Sequence, residues 1–412
     1  NEKCPCGSGK KYKKCCIGKI KYEKSVQAVK THPLSKFNVQ FLIDNISSSS
    51  LLPSNYGKNI RLEQLVRESL IYGQKDKGSH DINELKKVLK SNYSHNYLED
   101  PPINIFTNII TFYGGDYLIL PGISDGGHFI LANILGAIFH TQNKLPEVFK
   151  NLVFQISLLS LNISNKVLKD VGLERYLEAE TLNDDINLVE AKNQAKYIGA
   201  ISFTYDELDI LCKELHIKSD IIKLLVLEDD DNLKNDDYNT NPIIAKPIIE
   251  VDDGFKIISA SNLHVALLHV ILEIANTHKC LNELVKIYTA ILWNNVNVHL
   301  GHAGYELLSD FKKPDNNGVN IYEEYYRIDK DKIAYVSLEF DDGSNYNILH
   351  PFASRGEFDS VKLDTHKDSV IKKLTEQYPE DKILSIKILA GLGREYLRAY
   401  KKHDNISEVI FP

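Results

Sequence analysis

Apolar residues recur at helical spacing through the middle of the chain. The spacing is mainly 3.6-residue from about position 61 to 227, as in Leu62, Leu65 and Leu70, then Leu85, Val88 and Leu89, then Leu152, Ile156 and Leu159. One strand-like segment, Tyr117 to Leu120, interrupts this region and ends at Pro121-Gly122, where the chain must turn. The run after it, His128 to His140, is apolar on nearly every side and predicts a buried helix. Positions 20–60 read as a short basic helix followed by a polar connector that contains Ser47–Ser50.

The pattern changes after an acidic stretch. Glu228 to Asp237 holds six carboxylates and one Lys and precedes Asn241-Pro242, the signature of a solvated linker or loop. It lacks the ordered alternation and the Gly of a calcium-binding EF-hand loop. Beyond it, Ile248–Val251 and Phe255–Ile258 flank Asp252-Asp253-Gly254 and predict a hairpin. Ser261 is placed to cap the apolar helix Leu263 to Ala275. A second hairpin is expected from Ala334–Phe340 and Tyr346–Leu349 around Asp341-Asp342-Gly343. A helix (Ser369 to Tyr378), a strand (Ile383 to Leu389) and a Gly391-Leu392-Gly393 turn into a last helix complete the pattern.

These elements imply a multi-domain α+β protein. Its expected parts are a small N-terminal module (1–19), a helix and connector (20–60), a mainly helical domain (61–240) and an α/β domain (241–412). Apolar residues at 43% and charged residues at 25% are ordinary for a globular protein and exclude collagen-like, disordered and disulfide-scaffold classes for the bulk. No stretch reaches the ~18 consecutive apolar residues of a membrane helix. The chain opens on Cys and Lys rather than a charged-then-apolar leader, so membrane insertion is not expected and a cytoplasmic location is.

Charge is unevenly spread. Residues 1–30 carry nine Lys against Glu2 and Glu23, a local +7 within a chain of net charge −7, which leaves −14 for the remainder. The same segment holds Cys4-Pro5-Cys6-Gly7-Ser8-Gly9, a Lys-rich spacer, and Cys15-Cys16. Four Cys within thirteen residues suit a metal site in a reducing compartment better than a disulfide framework. Cys4 and Cys6 supply one thiolate pair and Cys15 and Cys16 the other. Four thiolates complete a zinc tetrahedron with no position open to water, which is the chemistry of a structural zinc.

This stretch resembles the SEC-C motif, the zinc-binding module found at the C-terminus of the translocase ATPase SecA and in many unrelated bacterial proteins. The resemblance implies that Cys4, Cys6, Cys15 and Cys16 are zinc ligands. In SecA the module contacts a chaperone and the ribosome, so it also implies a docking role. Lys10, Lys11, Tyr12, Lys13 and Lys14 are the residues expected to meet an acidic protein or a nucleic-acid backbone. No Gly-x4-Gly-Lys-Ser/Thr phosphate loop occurs, so the SecA motor is absent from this chain. Such modules are also appended to bacterial proteins associated with phage defence, which makes that role an expectation by analogy.

Other constellations are weaker. His299 with His302, and His264 with His269, lack the i, i+4 spacing of hydrolytic zinc helices and read as core or surface residues. Arg398 and His403 resemble the Arg-x4-His of HEPN ribonucleases, but Ala399 stands where a polar residue is usual. The C-terminal α/β pattern is similar to restriction-endonuclease-like nucleases, whose neighbouring strands carry magnesium-binding carboxylates and a Lys. Glu339 and Asp341 fit the carboxylates, yet no Glu-x-Lys follows; Glu84-Leu85-Lys86 lies in a helical pattern. Gly391-Leu392-Gly393-Arg394 reads as a plain turn. A zinc-binding docking protein is therefore the first expectation. A nuclease-type effector, with its active site in the C-terminal third or beyond this chain, is the alternative.

Overall fold

A computed structural model describes residues 32–55, 58–93, 108–119, 127–173, 185–228, 233, 242–313, 322–340, 360–390 and 406–408. The first helix, α1 (Val39–Ser49), starts where the Asn38 side chain accepts the Phe41 N–H at 3.0 Å. Leu42, Ile43 and Ile46 give it a buried face. Ser47, Ser48, Ser49 and Ser50 are buried too, which corrects their reading as a connector. The Ser49 hydroxyl donates to the Asn45 carbonyl at 2.6 Å and accepts the Val189 N–H at 3.2 Å. Bonded this way, a serine behaves as a small core residue.

Next come α2 (Asn59–Tyr72) and α3 (Ile82–Tyr93). Leu62, Leu65 and Val66 join Leu85, Val88 and Leu89 in a core that also takes in Leu34, Phe37, Ile243 and Ile258. The strand read at Tyr117–Leu120 is β2 (Gly115–Ile119), paired antiparallel with β1 (Asn108–Phe112). Tyr113 and Gly114 make the turn at φ +47° and +79°, the primed geometry that matches strand twist.

The apolar run forms α4 (Gly127–Phe139), as its pattern predicts, and α5 (Glu147–Val171) follows. Gly172, at φ +83°, ends α5 by returning its N–H to the Lys169 carbonyl, while Leu173 N–H reaches Leu168. Then come α6 (Ala191–Ala200), β3 (Ser202–Thr204) and α7 (Tyr205–Glu214), the last opened by a Thr204–Glu207 capping box.

The expected hairpin is present as β4 (Ile248–Val251) and β5 (Gly254–Ile257), with Asp252-Asp253 at its tip. β5 also pairs with β3, so this small antiparallel sheet draws on both sides of the acidic stretch. Helix α8 (Leu263–Thr277) has Asn262 at its N-cap and no side-chain cap bond. Ser261 therefore does not cap it; its hydroxyl lies 3.5 Å from that of Ser259 in the preceding 3₁₀ turn. Helix α9 (Leu281–His302) completes the helical body.

The C-terminal part is a five-stranded mixed sheet. Its strands are β6 (Glu306–Leu307), β7 (Tyr322–Asp329), β8 (Lys332–Phe340), β9 (Lys382–Ala390) and β10 (Ile406–Glu408), adjacent in chain order. β6, β7 and β8 run antiparallel; β8, β9 and β10 run parallel, with α10 (Ser360–Gln377) crossing between β8 and β9. The second expected hairpin is corrected here. β8 pairs with β7 through a Lys330-Asp331 turn and with β9 on its other edge, leaving no free edge for a strand at 346–349 over Lys332–Leu338. Residues 341–350 themselves lie outside the described residues.

One face of this sheet (Tyr326, Ala334, Val336, Leu338, Ile386) joins the main core of α4, α5, α8 and α9. The other (Tyr325, Ile333, Tyr335) packs on Val370 and Leu374 of α10. The architecture is thus mixed α+β. No helix among the described residues is long and apolar enough to cross a membrane.

Candidate functional site

Cys4, Cys6, Cys15 and Cys16, and with them Lys10, Lys11, Tyr12, Lys13 and Lys14, lie outside the described residues. So do Asp341, Gly391–Arg394, Arg398, His403 and the acidic residues Asp229–Asp231 and Asp236–Asp237. Glu339 is on β8, opposite Leu389 of β9. Glu84 and Lys86 are on α3, where Glu84 pairs with Lys36. His264 and His269 are on α8; His299 and His302 end α9. Among the described residues no group of three or more His, Cys, Asp or Glu side chains is placed to hold a metal ion. Cys212 and Cys280 are buried, and burial pushes both thiols up, away from reactivity.

Two polar arrangements stand out in the body. The first is a buried carboxylate between the mixed sheet and α10. Glu323, only 4% exposed, accepts the Tyr325 hydroxyl at 2.8 Å on one oxygen and the Tyr335 hydroxyl at 2.9 Å on the other. His366 of α10 places Nε2 3.1 Å from both oxygens. At the rim, Lys313 donates to the Glu323 carbonyl at 3.0 Å and pairs with Glu324 at 3.2 Å. Burial and the charges of Glu323 and Glu324 push the Tyr325 phenol far above its ordinary value, so it stays a donor. Beside Tyr335 in register lies Ser385, whose buried hydroxyl has no partner among the described residues.

Local sequence explains the placement. Glu323 and Tyr325 alternate onto one face of β7, while His366, Val370 and Leu374 repeat every four residues along one stripe of α10. That helical stripe was a readable signal. The carboxylate was not, because Glu323 sits among Glu324 and Arg327, which read as surface.

The second arrangement is a cleft of about 510 Å³ between α1, β3 and the β4–β5 hairpin. Lys256 of β5, 7% exposed, pairs with Asp44 of α1, and Gln40 donates to the same Asp44 oxygen at 2.9 Å. Asp252, Asp253 and Glu207 form an exposed rim. Gly254 is required at the wall: a Cβ there would lie 2.0 Å from the Phe203 carbonyl oxygen.

The model of one protein family, described as anti-phage protein Upx-like, matches residues 23–340. The chain belongs to the Upx-like anti-phage family. The SEC-C motif model matches residues 1–17, and that motif is generally a zinc-binding module. The Upx-like region therefore begins just after the SEC-C motif and runs to the end of β8. It includes Glu323 and the whole cleft, whereas His366 and α10 lie past its end. No curated protein and no solved structure matches the chain.

Proposed function

We propose that this Upx-like protein works in phage defence as a docking protein. Its SEC-C segment holds a structural zinc and presents a basic loop to an acidic partner. Cys4, Cys6, Cys15 and Cys16 form a donor set that fits zinc: four soft thiolates, no competing ligand and no open position. Bound there, the metal fixes the turn of the chain. Lys10, Lys11, Lys13 and Lys14, with Tyr12 between them, then lie together on one short loop.

The observation that carries this reading is the charge partition, +7 over thirty residues against −14 over the rest. A duplex or an acidic protein surface is attracted to the segment and repelled by the body, which orients the encounter. The test is binding of the full chain to labelled DNA, RNA and an acidic peptide. Nucleic-acid affinity should fall steeply between ~50 and 200 mM salt as counterions are released. Changing the four lysines to Glu should abolish binding while zinc content and melting temperature hold. Undiminished binding by that variant removes the docking role; binding of the peptide alone identifies a protein partner.

A further inference from the structure

Lys256 is a buried residue of the cleft lining with most of its hydrogen-bonding capacity unused. An ammonium carries three N–H donors. Among the described residues that of Lys256 bonds one acceptor, the Asp44 carboxylate. The same Asp44 oxygen, Oδ1, also takes the Gln40 amide, so Oδ2 remains open. A charged group this buried is costly when its donors go unmatched, so a partner that completes them gains free energy from doing so.

The pattern of what is missing defines the partner. Lys256 calls for an acceptor, and Asp44 Oδ2 beside it calls for a donor. Gln40 still has its carbonyl oxygen free for a second donor. A carbonyl beside a ring N–H and an amine supplies one acceptor and two donors to match these groups, and that is the lactam edge of guanine. Adenine and cytosine present an amine where guanine presents its carbonyl, which would set an amine against the Lys256 ammonium.

The rim sets the rest of the ligand. Asp252, Asp253 and Glu207 are exposed carboxylates at the mouth, suited to accept ribose hydroxyls and placed to repel a phosphate. The volume, about 510 Å³, lies within the ~300–1,000 Å³ of small-molecule sites.

We propose that the cleft lined by Asp44 and Lys256 binds an uncharged guanine nucleoside and excludes its phosphorylated forms. None of the lining residues belongs to the N-terminal segment, so failure of this site would leave the docking role untouched.

Calorimetric titration of the full chain with guanosine, inosine, adenosine and guanosine monophosphate tests this. Guanosine should bind saturably. Inosine, which lacks the amine, should be weaker, and adenosine and the monophosphate weaker by about tenfold or more. No guanosine binding, equal binding of adenosine, or tighter binding of the monophosphate would overturn the assignment. Asp44→Asn should reduce guanosine affinity by about tenfold or more. Because that change leaves Lys256 without its carboxylate and threatens folding, Asp252→Asn with Asp253→Asn provides the second arm. These rim positions should fold normally and bring the monophosphate close to guanosine in affinity. If the monophosphate stays excluded from a folded rim variant, the rim does not act as proposed.

Discussion

His366 on α10 and Glu323 on β7 are joined across 43 residues of chain, with Nε2 3.1 Å from each carboxylate oxygen. Both side chains are almost wholly shielded from water. The two tyrosine hydroxyls complete the shell of the carboxylate, so helix and sheet are clasped by a polar centre inside a small apolar cluster. A buried centre of this kind stabilises little beyond what well-packed apolar residues would, yet breaking one part of it is expensive.

His366→Ala should accordingly destabilise the protein by about 3–5 kcal/mol, the cost of leaving a buried carboxylate short of a partner. Tyr335→Phe removes one donor of the set and should cost about 1–3 kcal/mol. Urea unfolding followed by circular dichroism measures both. A His366→Ala variant within about 1 kcal/mol of wild type would show that α10 is held by Val370 and Leu374 alone.

How far the chain announced this centre depends on distance along it. The β4–β5 hairpin was legible because its turn and its apolar alternation lie within ten residues. Helix α4 was legible from its apolar run alone. β7 was not, because Glu323, Glu324 and Arg327 look like surface until His366 and Asp381 are brought beside them. Ser47–Ser50 misled for the opposite reason: a composition typical of loops closes α1, and all four serines are buried, with the Ser49 hydroxyl bonded to Asn45 and Val189. The Asp44–Lys256 pair, 212 residues apart, has no local signature at all.

Purified protein should contain about one zinc per chain, held by the four N-terminal cysteines. Replacing Cys15 and Cys16 with Ser should abolish it, as read by elemental analysis. The melting temperature of the body should not move, since a site this small contributes folding energy only to its own segment. Full retention of zinc by the double variant would refute the ligand assignment.

Acid stability should depend on Glu68 of α2. Burial pushes its carboxyl up, but the hydrogen bonds from His32, Tyr93 and Gln64 outweigh this and hold it below the ordinary value of 4.5. A depressed carboxylate adds stability that is fully present above its unfolded value and is lost as pH falls through the lower folded value. Glu68→Gln should therefore narrow its stability gap to wild type as pH drops below 4.5. A gap that stays constant across that range, in denaturant titrations at several pH values, would mean that the charge of Glu68 is not what His32 and Tyr93 hold.

Two glycines at hairpins offer a paired test of backbone against space. Gly114 turns β1 into β2 at φ +79° and has nothing within 4 Å of an added Cβ. Gly114→Ala should thus cost only the left-handed strain, about 1–2 kcal/mol. At Gly254 the obstacle is a neighbour. An added Cβ would meet the Phe203 carbonyl oxygen at 2.0 Å and the Thr204 Cα at 2.7 Å, both backbone atoms of β3 that no rotamer change can move. Relief requires β3 to part from β5, along the pairing that joins Thr204 to Gly254. That pairing also sets the wall of the cleft, between Phe203 and Phe255. Gly254→Ala should cost at least about 3 kcal/mol, more than Gly114→Ala, and should expose the amides of Ser202–Thr204 to hydrogen exchange. Equal melting temperatures for the two variants, with β3 amides still protected, would mean that β3 and β5 do not approach each other this closely.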